Sequence, residues 1–156
     1  VQMKTIYIID ANALIDASKY YNMKKFTFAP IWTAIEELIS QGELISSSEI
    51  FDELKDDDLL AWAKLHKEMF IPLSKEIQEH TVDILGKYPT MIKIKSSSNS
   101  NGDPFLVATA IQYGGCVITN ERLGDEKSGD FHIPNVCNGY NIPYMDLNTF
   151  LDHVLK

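Results

Sequence analysis

Cysteine, arginine and long apolar runs are the scarce features of this sequence. Only Cys116 and Cys137 occur in 156 residues, too few for the disulfide scaffold of a small secreted domain. No CxxC or HxxxH pair accompanies them, so a zinc site from Cys116, His132 and Cys137 lacks the usual ligand spacing. Arg122 is the sole arginine, and 14 basic residues against 22 acidic ones leave a formal net charge of −8. That balance argues against a broad basic surface for non-specific nucleic-acid binding. No apolar run approaches the ~20 residues needed to cross a bilayer. Asp10 and Asn12 interrupt the first apolar stretch, so no signal-peptide pattern is expected there, and a soluble cytoplasmic protein is the expectation. A Gly-rich phosphate loop and a GxSxG elbow are also missing.

Apolar residues make up 45% of the chain, enough to exclude disorder and to fill the core of one domain spanning residues 1–156. Thr5 to Ile9 reads as a buried parallel strand, because its β-branched and aromatic residues do not alternate with polar ones. A helix is expected from about Asn12, taken as its N-cap. Ile31, Ala34, Ile35, Leu38 and Ile39 recur at helical spacing, with Pro30 in the first turn and Gly42 past the end. Glu43 to Ser46 reads as a short strand. Ser46 and Glu49 match a capping box, and the helix it opens is expected to carry Glu53. Further helices are expected around Leu59 to His66, with Asp56, Asp57 and Asp58 as an exposed start, and from Lys75 to Leu85, closed by Gly86 and Pro89. Phe70 to Leu73 reads as a connector between them.

Lys95 to Gly102 is a polar loop. Asp103 and Pro104 then open a helix that is apolar on nearly every face and therefore buried. Gly114 and Gly115 end it, and Cys116 to Thr119 forms the next strand. Asn120 to Asn141 reads as irregular, a length that is usually functional or mobile. Ile142 to Met145 is expected as an edge strand, with a short helix from Asn148 to Leu155. Strands alternating with helices imply an α/β fold with a mainly parallel sheet.

Four acids stand out against this frame: Asp10, Glu53, Asp103 and Glu121. Asp10 and Glu121 lie just past strand ends, where open parallel sheets bind ligands. Asp103 opens a buried helix on what can be the same edge, and Glu53 can reach in from a neighbour. Carboxylates gathered there would repel one another, and at least one pKa should rise. A hard divalent cation relieves that repulsion and supports phosphodiester chemistry. Each acid also has an ordinary reading: Asp10 as a turn or cap residue, Asp103 as an N-cap, Glu53 as a solvated glutamate, Glu121 as a surface loop residue. Asp16 is a weaker ligand candidate.

The order of short motifs resembles that of a PIN domain: Ile9-Asp10-Ala11-Asn12, the Ser-rich strand end followed by Glu53-Leu54, Gly102-Asp103-Pro104, and Val117-Ile118-Thr119-Asn120-Glu121. Over nearly its whole length the chain is similar to the toxin ribonucleases of VapBC-type toxin–antitoxin modules. The resemblance implies a three-layer α/β/α sandwich and an endoribonuclease that uses Mg²⁺ or Mn²⁺. It also implies restraint by an antitoxin protein. A homodimer is a further candidate assembly, and the lack of a spanning apolar run predicts no membrane association. By motif, Asp10, Glu53 and Asp103 are the acidic core. Glu121 takes the fourth position, where Asp is more usual. Asn12, Thr119 and Asn120 are the supporting polar residues, the last two placed to bond Asp10 or a metal-bound water. Lys24, Lys25, Lys93, Lys95 and Arg122 are the candidates for RNA contact. The insertion from Gly124 to Gly139 departs from the compact toxin pattern and suggests a divergent branch. A non-catalytic PIN-like scaffold or regulatory binding protein, and a DNA-directed nuclease with the same metal site, are the alternative readings.

Overall fold

Five short segments pair into one sheet: β1 (Tyr7–Ile9), β2 (Leu44–Ser47), β3 (Phe70–Ile71), β4 (Cys116–Ile118) and β5 (Tyr144–Met145). The computed structural model describes residues 4–91 and 103–156. Lys93, Lys95 and the polar loop expected at 95–102 lie outside the described residues. The strand order is β3-β2-β1-β4-β5, and every pairing is parallel. Register is set at the centre, where Tyr7, Ile8 and Ile9 face Cys116, Val117 and Ile118. Ile8, Ile9, Val117 and Ile118 are fully buried, as continuous apolar runs in a sheet covered on both faces should be.

Parallel neighbours require crossovers, and helices supply them. Between β1 and β2 run α1 (Ala11–Tyr20) and α2 (Ala29–Ser40). After β2 come α3 (Ser48–Phe51) and α4 (Asp57–Leu65). Between β3 and β4 run α5 (Lys75–Lys87) and α6 (Asp103–Tyr113). Then α7 (Ile133–Gly139) leads to β5, and α8 (Leu147–Val154) closes the described fold. The three-layer α/β sandwich expected from the sequence is therefore the fold. Helix α6 packs against α5 and against β1 and β2, and Leu106, Val107, Ala108 and Ala110 are buried. Its apolar character on nearly every face is thus accounted for by neighbours. Trp32 of α2 meets Trp62 of α4 edge-on, with centroids 5.2 Å apart, and the Trp62 indole N–H donates to Glu36 Oε2 at 2.9 Å.

Several local expectations are corrected. Helix α1 is capped by Asp10, not Asn12: the Asp10 backbone is extended and its carboxylate accepts from Ala11 N. Ser46 stays in the strand, with its hydroxyl donating to Ile9 O at 2.6 Å. Ser47 caps α3 instead, so no box forms between Ser46 and Glu49. Helix α3 ends at Phe51, and Glu53 sits in the following turn, its N–H donating to Ile50 O at 3.0 Å. The connector at Phe70 is an edge strand, and α5 continues through Gly86. The long excursion after β4 contains α7. Pro134 sits in the first turn of α7, where a missing N–H costs nothing.

Gly115 is where the sheet is tightest. A Cβ there would meet Ile8 Cδ1 and the Ile6 carbonyl, while the next residue, Cys116, donates its N–H to Ile6 O at 2.8 Å. Gly115→Ala should therefore destabilise the fold by ~1–3 kcal/mol, lowering the thermal midpoint by roughly 2–4 °C per kcal/mol. A calorimetric scan checks this, and an unchanged midpoint would contradict the packing described.

Candidate metal centre

The C-terminal edge of the sheet collects acids because three elements end or begin there. Asp10 follows β1, Glu121 follows β4, and Asp103 is the first residue of α6. One carboxylate oxygen from each of Asp10, Asp103 and Glu121 lies within 4.8 Å of the other two. Asp10 is almost wholly buried, at 2% exposure, and Asp103 and Glu121 are half-buried.

Asp10 is held from three directions. Its backbone N–H donates to Ile118 O at 2.9 Å, tying the ends of β1 and β4. Its Oδ1 accepts from Ala11 N at 2.7 Å. Its Oδ2 accepts from the Thr119 hydroxyl at 3.0 Å. Even so, burial first and the Glu121 charge second push its carboxyl up to about 7, with the Thr119 and Ala11 bonds opposing. A carboxylate this deep, beside a second one, stays ionised at neutral pH only if a cation compensates it. Among the described residues no ion pair reaches Asp10 or Glu121. An all-oxygen donor set of this kind fits a hard ion such as Mg²⁺ or Mn²⁺.

The polar residues around the acids form a bonded frame. Asn12, released from capping α1, accepts from Asn120 N at 2.9 Å and lies 3.4 Å from the Thr119 hydroxyl. Thr119 Oγ1 in turn accepts from Glu121 N at 3.1 Å. The expected bond from Thr119 to Asp10 is present. Asn120 turns elsewhere: its Nδ2 donates to Asp16 Oδ2 at 2.6 Å, and its Oδ1 accepts from Leu147 N at 2.9 Å. Asp16, weighed as a weak ligand, is thus the partner of Asn120. Glu121 Oε1 accepts from Ile133 N at 3.3 Å, so the extra methylene of Glu lets one side chain reach the start of α7 as well as the other acids.

The remaining candidates are spread out. Glu53 is half-buried and is not one of the three acids that converge. Lys24 pairs with Asp58 at 3.0 Å, and Lys25 and Arg122 are exposed. Beside Glu121 opens a groove of about 680 Å³ whose lining includes Tyr20, Tyr144, Asn148 and Arg122. Tyr20, Tyr144 and Asn148 carry no local sequence signal.

A family profile described as a domain of unknown function, DUF4411, matches residues 7–155. The chain belongs to the DUF4411 family. A search of curated proteins finds no match. In fold, this DUF4411 chain is similar to VapBC2 from Rickettsia felis, solved bound to a DNA fragment from their promoter. The TM-score is 0.52 at 16% identity, covering 91% of this chain and 98% of that one. It is also similar to PAE2754 from Pyrobaculum aerophilum, with a TM-score of 0.50 at 15% identity over 97% of this chain and 98% of the other. These likenesses show a shared fold, the α/β sandwich around a parallel sheet.

The buried acid sets a pH dependence for the metal-free protein. The Asp10 carboxyl titrates near 7 in the fold against an ordinary value of 3.8, so between those values the folded state holds a proton that the unfolded state has lost. The contribution of Asp10 to stability therefore falls as pH rises from about 4 to 7. Asp10→Asn keeps the shape and should stabilise the metal-free protein at pH 8 by on the order of 2–4 kcal/mol. The gain should vanish toward pH 4. Thermal melts in a chelator across that range check it; a variant that is less stable at pH 8 would contradict the assigned burial cost.

Proposed function

We propose that this chain is a Mg²⁺- or Mn²⁺-dependent endoribonuclease of the PIN type, acting as the toxin of a toxin–antitoxin pair. The convergence of Asp10, Asp103 and Glu121 at the C-terminal edge of a parallel sheet carries the proposal. In this reading the three carboxylates hold the ion. Bound there, the ion would favour ionisation of an attacking water and stabilise the charge that develops on phosphate. Thr119 and Ala11 N favour the ionised form of Asp10 by donating to its two oxygens. Asn12 fixes the Thr119–Asn120 corner and so the direction of Glu121. Glu53 is a further acid with a smaller role. The unit is one PIN-like domain over residues 1–156, with RNA as substrate and an antitoxin protein and a second copy of the chain as partners. No helix of the described residues is long and apolar enough to cross a membrane, and the cytoplasm is the proposed compartment.

The second reading, a non-catalytic scaffold or regulatory binding protein, is favoured by the net charge of −8 and the single arginine. Calorimetric titration with Mg²⁺ and Mn²⁺ separates the two, since absence of binding at millimolar ion supports the scaffold.

Cleavage assays with single-stranded RNA and DNA of one sequence test the activity itself. Asp10→Asn, Asp103→Asn and Glu121→Gln should each slow RNA cleavage by roughly 100-fold or more. Glu53→Gln should cost less, about 10-fold. Equal cleavage of DNA would move the reading to a DNA-directed nuclease, and full activity in folded Asp10→Asn would remove the metal-centre assignment.

A further inference from the structure

The groove beside Glu121 is poorly made for phosphate. Among the described residues, Asp16, Glu121 and Asp146 line it against one cation, Arg122. Each of those carboxylates already accepts a hydrogen bond: Asp16 from Asn120 Nδ2 at 2.6 Å, Glu121 from Ile133 N at 3.3 Å, and Asp146 from Thr149 N at 2.8 Å. What the groove presents instead is aromatic surface and an amide. Tyr20, at the end of α1, is 60% exposed. Tyr144 of β5 lines the same groove and is half-buried. Asn148, exposed on α8, accepts the Tyr21 hydroxyl on its Oδ1 at 3.1 Å. That bond turns the amide so that its amino group is left to donate.

A flat, uncharged ring with a carbonyl or ring-nitrogen acceptor suits this lining. Base–aromatic stacking needs only a π-face and tolerates an acidic surround better than a phosphate does. The groove volume of about 680 Å³ falls within the ~300–1,000 Å³ typical of small-ligand pockets. Bases of a duplex are already paired and stacked, so only an unpaired one can enter. Two cations lie close by: Arg122 follows Glu121 directly, and Lys19 Nζ lies over the Tyr20 ring, 5.5 Å from its centroid.

We propose that this groove is a nucleobase pocket, in which an unpaired base next to the scissile phosphate stacks on Tyr20 and Tyr144 and is read by the Asn148 amide. The proposal rests on the nuclease reading for its place beside the acids. A basic peptide is the competing occupant, because the same carboxylates and tyrosines would also receive a lysine or arginine.

The test uses the Asp10→Asn protein in millimolar Mg²⁺, which keeps the substrate intact. Fluorescence anisotropy measures its affinity for fluorescein-labelled single-stranded oligo(U) and oligo(A) octamers, an RNA duplex of the same length, and an oligo-arginine peptide. Single strands should bind at least about 10-fold tighter than the duplex. Tyr20→Ala should weaken single-strand binding by about 5–100-fold with an unchanged salt slope, as expected when stacking rather than ion pairing is lost. Tyr20→Trp should restore it. Asn148→Ala should change the ratio of oligo(U) to oligo(A) affinity. Unchanged single-strand affinity in both alanine variants would overturn the pocket. So would a Tyr20-dependent peptide complex with no RNA binding. Cleavage by the chain with Asp10 intact keeps the two readings apart. RNA cleavage that is indifferent to Tyr20→Ala rejects the pocket alone, whereas Tyr20-dependent RNA binding without any cleavage rejects the nuclease alone.

Discussion

Burial of the Asp10 carboxylate is the constraint on which the rest of this structure turns. One residue ends β1, caps α1, ties the end of β1 to β4 through Ile118 O, and presents a charge with almost no solvent contact. An apolar residue in its place would leave the Ala11 N–H and the Thr119 hydroxyl without their present acceptor, and buried polar groups without partners are costly. A free charge there is costly as well, which is why the carboxyl resists ionisation in the absence of a cation. The conflict is local, and the sheet built around it is held by large apolar contacts. The fold can therefore hold an electrostatically unfavourable arrangement in place until something of opposite charge relieves it.

Side-chain amides do much of the positioning. Asn12 reaches from α1 to the backbone after β4, Asn120 reaches back to Asp16 and forward to the start of α8, and Asn135 accepts from both Gly124 N and His132 N. Each spans a gap that backbone pairing leaves open, and each carries both donor and acceptor, so loops between parallel strands are fixed without added sheet. Glu121 joins this framework through Ile133 N. The segment between β4 and β5 is therefore anchored on one of the acids.

Much of this was legible in the sequence because strong patterns are local. The unbroken apolar runs at β1 and β4, the helix spacing of α2 and the Asp103-Pro104 start of α6 all specify their own conformation. Of the acids, Asp10 and Glu121 were marked by their position after strands. What escaped notice depended on contacts across long sequence gaps. Ser46 and Asn12 both read as caps, since a Ser or Asn near a helix start usually is one; the neighbouring Ser47 and Asp10 take those roles because β2 pairs through Ser47 and α1 starts directly after Asp10. Glu53 reads as part of a helix, but that helix stops at Phe51 before reaching it. The groove of Tyr20, Tyr144 and Asn148 has no motif at all, because it exists only where α1, β5 and α8 come together.

Topology also governs when the acid cluster comes into being. Asp10 and Glu121 are more than a hundred positions apart, and β1, which precedes Asp10, finds its β4 partner only across several crossovers. Contacts of such high sequence separation form late and slowly. On a ribosome, the segment bearing Asp10 emerges early and must wait for β4 before its neighbours arrive. A nascent chain therefore has no assembled cluster of acids until the segment bearing Glu121 has been made. Whatever chemistry the site performs is withheld during translation by the order of the strands alone.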